Sequence, residues 1–300
     1  MYPVKEMVLG TREQFNYVKC EPCSCVQLAE IPKNISDYYP PEYHSLGTIE
    51  ASSNFSDFKR KLIIKRDLHS LGLKRSVIGA FLQTIFPLHV ESSQAIHRFM
   101  YSILMDRVTS KVHDIGCGNA TALRYFGRLG FPGLSGNDPH IETDTKVNGV
   151  EIRKCEFSSI SGTFDGIMLN HVIEHVPDPI SLLKQIHLKL NQGGKILLRT
   201  PLVDSYGFNE YKQFWSGYDA PRHLHIFNRK GMEKLICSCG FVPEEFYRDS
   251  VGWNYSVSEG FRSNKTLNEQ TGKESKYEVL ADQLNKADVG DTGVFIFSKK

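Results

Sequence analysis

From residue 111 to residue 300 the sequence predicts an α/β fold: a largely parallel sheet with helices on both faces. Three observations carry this. Short apolar runs alternate with helical patterns, the rhythm of βαβ units. One strand ends on glycines and runs straight into a helix, at Val112-His113-Asp114-Ile115-Gly116-Cys117-Gly118-Asn119-Ala120. The terminal Val294-Phe295-Ile296-Phe297 is a strand that only a hairpin-like return can bring to a sheet.

Ahead of that region, residues 1–50 read as a small, loop-rich leader. Prolines break its aromatic run Tyr38-Tyr39-Pro40-Pro41-Glu42-Tyr43-His44, and proline density disfavours long helices. Residues 51–110 form a helical N-terminal segment. Its stretch 57–75 is basic, with Lys59, Arg60, Lys61, Lys65, Arg66, Lys74 and Arg75 against Asp57 and Asp67. An apolar run, Val77 to Phe86, follows. After Glu91-Ser92-Ser93, the stripe Ile96, Phe99, Met100, Ile103 and Leu104 has the spacing of one helix face.

Within the main region the strands are Val112–Ile115, Leu134–Asp138, Val150–Cys155, Phe164–Leu169, Lys195–Thr200 and Phe241–Phe246, with the terminal return as a seventh. Residues 119–130 suit a helix closed by Gly130. Asp178 caps the next helix, with Pro179 at its first turn and Leu182, Leu183, Ile186 and Leu190 on its buried side. Asn228 caps another that ends at Gly240. Residues 254–290 are polar and read as an insertion, helical near Tyr277–Leu284 and partly mobile.

Composition sets the class. The 300 residues are 40% hydrophobic and 23% charged, as in a folded globular protein. No apolar run approaches the roughly 18 residues of a membrane span. The net charge of +2 gives no support to a nucleic-acid partner. Seven cysteines, an odd number in a long chain without a secretory signal pattern, point to a reducing cytoplasm.

The glycine turn holds the chemistry. Glycines let the chain bend sharply and let a ligand approach without a Cβ in the way. Asp114 stands two residues before Gly116, at the strand's end. A carboxylate there repels a pyrophosphate and attracts a cation such as the amino group of an amino acid. Asp138, twenty residues after Gly118, is placed to bind both hydroxyls of a ribose. The implied ligand joins a nucleoside to an amino acid without phosphate.

These residues, with Phe164-Asp165-Gly166-Ile167, Asn170-His171-Val172-Ile173-Glu174-His175-Val176-Pro177-Asp178-Pro179 and Gly193-Gly194-Lys195-Ile196, resemble the class I S-adenosylmethionine-dependent methyltransferases. The likeness covers roughly residues 92–248 and the final strand. The stretch Phe214-Trp215 to Phe227, and the cysteines of the leader, resemble a branch of small-molecule and sugar methyltransferases, often of surface-polysaccharide pathways.

The resemblance implies a Rossmann-like, seven-stranded methyltransferase sheet and the cofactor S-adenosyl-L-methionine. It implies that Asp114, Gly116, Cys117 and Gly118 line the methionine half, and that Asp138 and Pro139 lie at the ribose. It puts Glu156 and Phe157 near the adenine and Asn170 and His171 beside the sulfonium. The expected reaction is O-methylation of a small-molecule or sugar acceptor. The rivals are an RNA or protein methyltransferase of the same fold, and a silent cofactor-binding partner in a complex.

His171, His175 and His223 are the catalytic candidates, since an alcohol acceptor must lose a proton as it attacks. His171, Glu174 and His175 also read as a metal pattern or as buried structural partners. No metal is assigned, because related metal-binding members carry an acid where His171 stands. Trp215, Tyr218, Arg222, His223 and His225 are expected to shape the acceptor pocket, with Arg222 on an anionic group. The alternative is a packed loop with Arg222 paired to Asp219. Cys20, Cys23 and Cys25 supply three thiols, short of the four ligands of a structural zinc site, and only His44 offers a fourth nearby. Cys117 reads as a space-filler.

Overall fold

The computed structural model describes residues 1–40, 54–88, 94–106, 109–269 and 275–300. His44, the segment Glu91-Ser92-Ser93 and the middle of the 254–290 insertion lie outside the described residues.

Three strands open the chain: β1 (Tyr2–Lys5), β2 (Gln14–Lys19) and β3 (Val26–Leu28). Helices α1 (Asp57–Ser70), α2 (Val77–Ile85) and α3 (Gln94–Leu104) follow. The main body begins with β4 (Val112–Ile115), α4 (Thr121–Arg128), β5 (Leu134–Asn137), β6 (Thr145–Val147), β7 (Val150–Arg153) and β8 (Phe164–Asn170). It continues through α5 (Pro179–Lys189), β9 (Leu190–Pro201), α6 (Tyr206–Tyr211), β10 (His225–Ile226) and α7 (Arg229–Ser238). It ends with β11 (Phe241–Arg248), α8 (Gly252–Arg262), α9 (Ser275–Lys286) and β12 (Thr292–Lys299).

The main sheet has the order β11-β12-β9-β8-β4-β5-β7-β6. Strands β4, β5, β7, β8 and β9 run parallel, and β12 lies antiparallel between β9 and β11. The expected return of the terminal strand is thus an insertion between two strands. Side chains alternate across this sheet because the strand period is two. Val112, Met168, Leu197 and Val294 pack under α3 and α4. Ile115, Ile167, Leu169, Ile196, Leu198 and Phe295 pack under α5 and α7. Helices therefore cover both faces, as the α/β reading requires.

The sheet has eight strands where seven were expected. The extra one, β6, pairs antiparallel with β7 through the two-residue turn Asn148-Gly149. Both turn residues have positive φ, 52° and 79°, as a type I′ hairpin demands.

The leader departs from its loop-rich expectation. β1, β2 and β3 form an antiparallel sheet with β10. Phe15 and Tyr17 alternate inward on β2, and Val26 and Leu28 on β3. These side chains need cover, and Trp215, Tyr218, Leu224 and Ile226 from 200 residues away supply it. The cysteines occupy the hairpin between β2 and β3, where Cys20 N donates to Cys25 O (2.8 Å). In the 254–290 region α9 spans the helix expected near Tyr277–Leu284, and α8 adds a second, with Tyr255, Val257 and Phe261 of α8 buried and Tyr277 and Ala281 of α9 packed beside them.

Candidate active site

A cavity of about 1140 Å³ runs along the carboxyl ends of the parallel strands. Ile115, Asn137, Asn170 and Pro201, the last residues of β4, β5, β8 and β9, all reach it. Ligands of open α/β sheets bind at this edge because loops leave the strands there.

At one end the chain turns through Gly116 (φ 64°) and Gly118 (φ 50°). Ala120 adopts φ 55° directly before α4, the left-handed conformation that makes glycine the easier residue there. Gly116 N (2.8 Å) and Cys117 N (3.1 Å) both donate to Asn137 O, tying the turn to β5. Asp138 fixes the other side. Its Oδ2 accepts from Gly118 N (3.0 Å) and its Oδ1 from His140 N (2.8 Å). Each oxygen keeps a further lone pair for a ligand hydroxyl.

Asp114 is the unresolved charge of this end. It is 7% exposed, and among the described residues its buried Oδ1 has no hydrogen-bond partner. Burial, and then the nearby Asp138, push its carboxyl up to about 8. A buried carboxylate oxygen left unmatched costs free energy unless a cation meets it. An amino acid's ammonium fits that atom, and a ribose fits Asp138. The pair suits S-adenosyl-L-methionine and does not suit a pyrophosphate. Pro139, Glu156 and Phe157 line the same cavity beyond β5 and β7. Burial, then Asp114 and Asp138, raise the Cys117 thiol, which is no thiolate nucleophile. Its sulfur fills the space over Gly136, where an added Cβ would lie 2.8 Å from it.

Facing the glycine turn is the loop after β8, with Asn170, His171 and His175 on the cavity. His171 sits at φ 55°. Arg199 Nη1 donates to its Nε2 (2.6 Å), and its Nδ1 contacts Glu174 Oε1 (3.1 Å). A guanidinium only donates, so Nε2 is the acceptor and Nδ1–H the donor to Glu174. Burial, and then Arg199, hold the ring below its ordinary range against the pull of Glu174. The lone pair a general base needs is therefore taken. In this arrangement His171 links Arg199 to Glu174.

The other two histidines differ. His223 Nδ1 lies 2.8 Å from Gly217 O, and His175 Nδ1 lies 3.1 Å from Arg222 O. A carbonyl only accepts, so each Nδ1 donates and each Nε2 presents a lone pair in the neutral ring. Burial, with His223 beside it, pushes His175 down to about 4. Glu174 is fully buried. Burial opposes its ionisation, yet the hydrogen bond from His171 and the surrounding imidazoles hold it at about 2. Glu174, His175 and His223 bring one carboxylate oxygen and two ring nitrogens within 4.8 Å of one another.

The expected acceptor pocket is largely reassigned. His223 lines the cavity, and Trp215, Tyr218, Arg222 and His225 do not. Trp215 is 2% exposed and its Nε1 donates to Asp291 (2.6 Å). Tyr218 packs its ring on Tyr17 in the leader. His225 turns to Pro177 O (3.3 Å). Arg222 has no exposed surface and pairs with Asp219 (2.6 Å) and Glu6 (3.2 Å), as the packed alternative holds. An anionic ligand cannot reach it. The cavity wall comes instead from Val8, Ile31, Ile35 and Tyr39 of the leader and from Trp253, Val257 and Phe261 of α8. Tyr39 stacks on His140 (4.7 Å between ring centres, 4° between planes) and its hydroxyl reaches His175 Nδ1 (3.1 Å). Sequence reading missed Tyr39, His140 and α8. The period of Val257 and Phe261 was the one local signal available.

A family model described as a methyltransferase domain matches residues 88–245. Among curated proteins, a tRNA U34 carboxymethyltransferase of Campylobacter hominis is 32% identical over 111 residues. That match covers 33% of this chain and 39% of the relative. A ubiquinone biosynthesis O-methyltransferase of Xanthomonas oryzae pv. oryzae is 28% identical over 113 residues, covering 33% and 46%. The chain thus spans less than half the length of these relatives. Among solved structures, the geranyl diphosphate C-methyltransferase of Streptomyces coelicolor A3(2) aligns with 88% of this chain and 96% of its own, at 14% identity and a TM-score of 0.49.

Proposed function

The chain belongs to the methyltransferase-domain family, and from that premise we propose that it methylates a hydroxyl of a small acceptor with an apolar body, using S-adenosyl-L-methionine. The observation that carries the donor is the unmatched, buried Oδ1 of Asp114 beside Asp138 and the glycine turn. Asp114 holds the ammonium, Asp138 the ribose hydroxyls, and Glu156 with Phe157 the adenine side. When bound, the donor supplies an activated methyl group on a sulfonium. The protein's task is then to align the acceptor oxygen and to remove its proton.

His223 is the proton acceptor in this reading. Its Nδ1–H is anchored on Gly217 O, and Glu174 Oε1 lies 3.9 Å from its Nε2, ready to stabilise the imidazolium. The apolar side chains from the leader and α8 favour a phenol or similar acceptor over a nucleotide sugar. The withdrawal of Arg222 into the core removes the cation expected to bind a sugar's phosphates. A tRNA acceptor, raised by the name of one relative, is the alternative. Incubation with methyl-labelled donor and phenols, nucleotide sugars and RNA, followed by mass spectrometry, tests the assignment. Label on RNA alone transfers the protein to the alternative.

The 4.8 Å cluster favours a second reading, in which Glu174, His175 and His223 hold a divalent cation that polarises the hydroxyl. Calorimetry with zinc and manganese separates the two. Micromolar binding lost in Glu174→Gln selects the metal, and no heat selects the base.

A further inference from the structure

The basic stretch and the apolar run after it are unused by the site. They fold into a helical hairpin. Ser76 caps α2, with its Oγ accepting from Gly79 N (3.1 Å). Gly79 is the buried contact, since a Cβ there would lie 2.5 Å from Lys65 O of α1. α1 in turn is fixed to the body. Its buried Asp67 accepts from Tyr101 of α3 (2.7 Å), and Leu68 and Leu71 join the core under α3 and α4.

Among the described residues the outer face of α2 has no such cover. Val77 is 90% exposed, Phe81 64% and Phe86 63%, with Ile78 and Ile85 about half exposed. Residues 77, 78, 81 and 85 lie at helical spacing on one side. The nine residues of α2 carry no charge. A helix that shows water this much aliphatic surface lacks its intended environment. Phe58 and Leu73 of the same hairpin are exposed as well.

Charge identifies that environment. Residues 57–88 hold seven basic side chains and two acids, a net of +5. The whole chain carries +2, so the rest of it carries −3. One of the two acids, Asp67, is buried, while Lys59, Lys61, Lys65, Lys74 and Arg75 are exposed. A second copy of the chain seated on this face would bring two +5 surfaces together. RNA would use the cations and could stack bases on Phe81 and Phe86, but it would leave the aliphatic half of the face, Val77, Ile78 and Ile85, in water. An anionic lipid surface uses both: its headgroups meet the lysines and arginines, and its acyl boundary takes the apolar face of α2. No described helix is long and apolar enough to cross a membrane, so the contact lies in the plane of the interface.

We propose that the α1–α2 hairpin docks the protein on anionic lipid bilayers, with α2 inserted at the headgroup boundary. The inference stands apart from the methyl-transfer reading and survives its failure. The full chain is tested by sedimentation with phosphatidylglycerol-containing vesicles and with phosphatidylcholine vesicles, at low and high salt. Binding is expected on the anionic vesicles alone, weakened by salt. The double variant Phe81→Ser, Ile85→Ser should lower partitioning about tenfold or more. Lys74→Glu with Arg75→Glu should abolish it. All four positions are exposed, and unchanged thermal unfolding confirms that the variants fold. Two results overturn the proposal: no binding to anionic vesicles at low salt, with or without a dimer or an RNA complex that the same variants dissolve; or binding by both variants equal to that of the wild type.

Discussion

The two ends of the cavity are built by opposite means. The donor end is made by neighbours in sequence: β4, the glycine turn, α4 and β5 supply Asp114, Gly116, Gly118 and Asp138 within 25 residues. The acceptor end is made by strangers. Tyr39, His175, His223 and α8 line it, and Glu6 reaches across 216 positions to Arg222. A local site is specified by the turn that carries it. A distant one is specified only by the packing that brings its parts together, so its function and its stability share the same residues. The expected experimental difference is that donor-end substitutions act on affinity, whereas acceptor-end substitutions act on folding first.

The largest effect should follow Arg222→Met. Glu6 would be left as a buried carboxylate and Asp219 as a largely covered one without their guanidinium, and breaking a buried pair costs about 3–5 kcal/mol. Urea unfolding should show that loss, and the leader should become sensitive to protease. A loss below about 1 kcal/mol would break the comparison, because the acceptor end would then not depend on the pairing.

Asp138→Ala comes next. It removes the acceptor of Gly118 N and of the ribose, and lost hydrogen bonds to a charged group are worth about 1–3 kcal/mol. Calorimetry with S-adenosyl-homocysteine should show roughly a tenfold to hundredfold weaker affinity, with much smaller change in unfolding. Unchanged affinity would remove Asp138 from the donor site.

Asp114 gives a pH signature at the same end. Its folded-state carboxyl near 8 lies above the ordinary value of 3.8, so the folded protein holds a proton that the unfolded chain has released. Stability of the ligand-free protein should therefore fall as pH rises from about 4 to about 8, at up to roughly 1 kcal/mol per unit. A ligand ammonium stabilises the ionised form, so donor affinity should rise over that window. Thermal scans of Asp114→Asn should be flat by comparison. A wild-type scan equally flat would place a partner on Oδ1.

The same contrast explains what could be read from the chain. Asp114, Gly116, Gly118 and Asp138 were legible because a strand end, a bend and a helix start are local events with their own residue preferences. Asn148-Gly149 carried an equally local signal for β6, the two-residue hairpin, which a reading organised around parallel units passes over. Arg222 was open to two readings, because nothing near it in sequence announces Glu6. Trp215 and Tyr218 read as a pocket because they follow a strand's carboxyl end, yet their rings close the leader's core. The alternation of His223 and His225 with Leu224 and Ile226 marks an extended segment, but nothing local announces that β10 pairs with β3 of the leader.

The smallest expected effect is the most diagnostic for the acceptor end. Trp253 is 41% exposed and lines the cavity from α8. Its truncation therefore costs little folding energy, unlike the buried Tyr255 and Phe261 beside it. An aromatic contact to an acceptor is worth roughly 1 kcal/mol, or about fivefold in affinity. Trp253→Ala should raise KM for a phenolic acceptor by about that factor and leave donor affinity unchanged. If donor affinity falls instead, α8 covers the donor, and the two ends are one site. If neither changes while Val8→Ala raises KM, the acceptor lies against the leader, and the wall that matters is the sheet of β1, β2 and β3 rather than the helix.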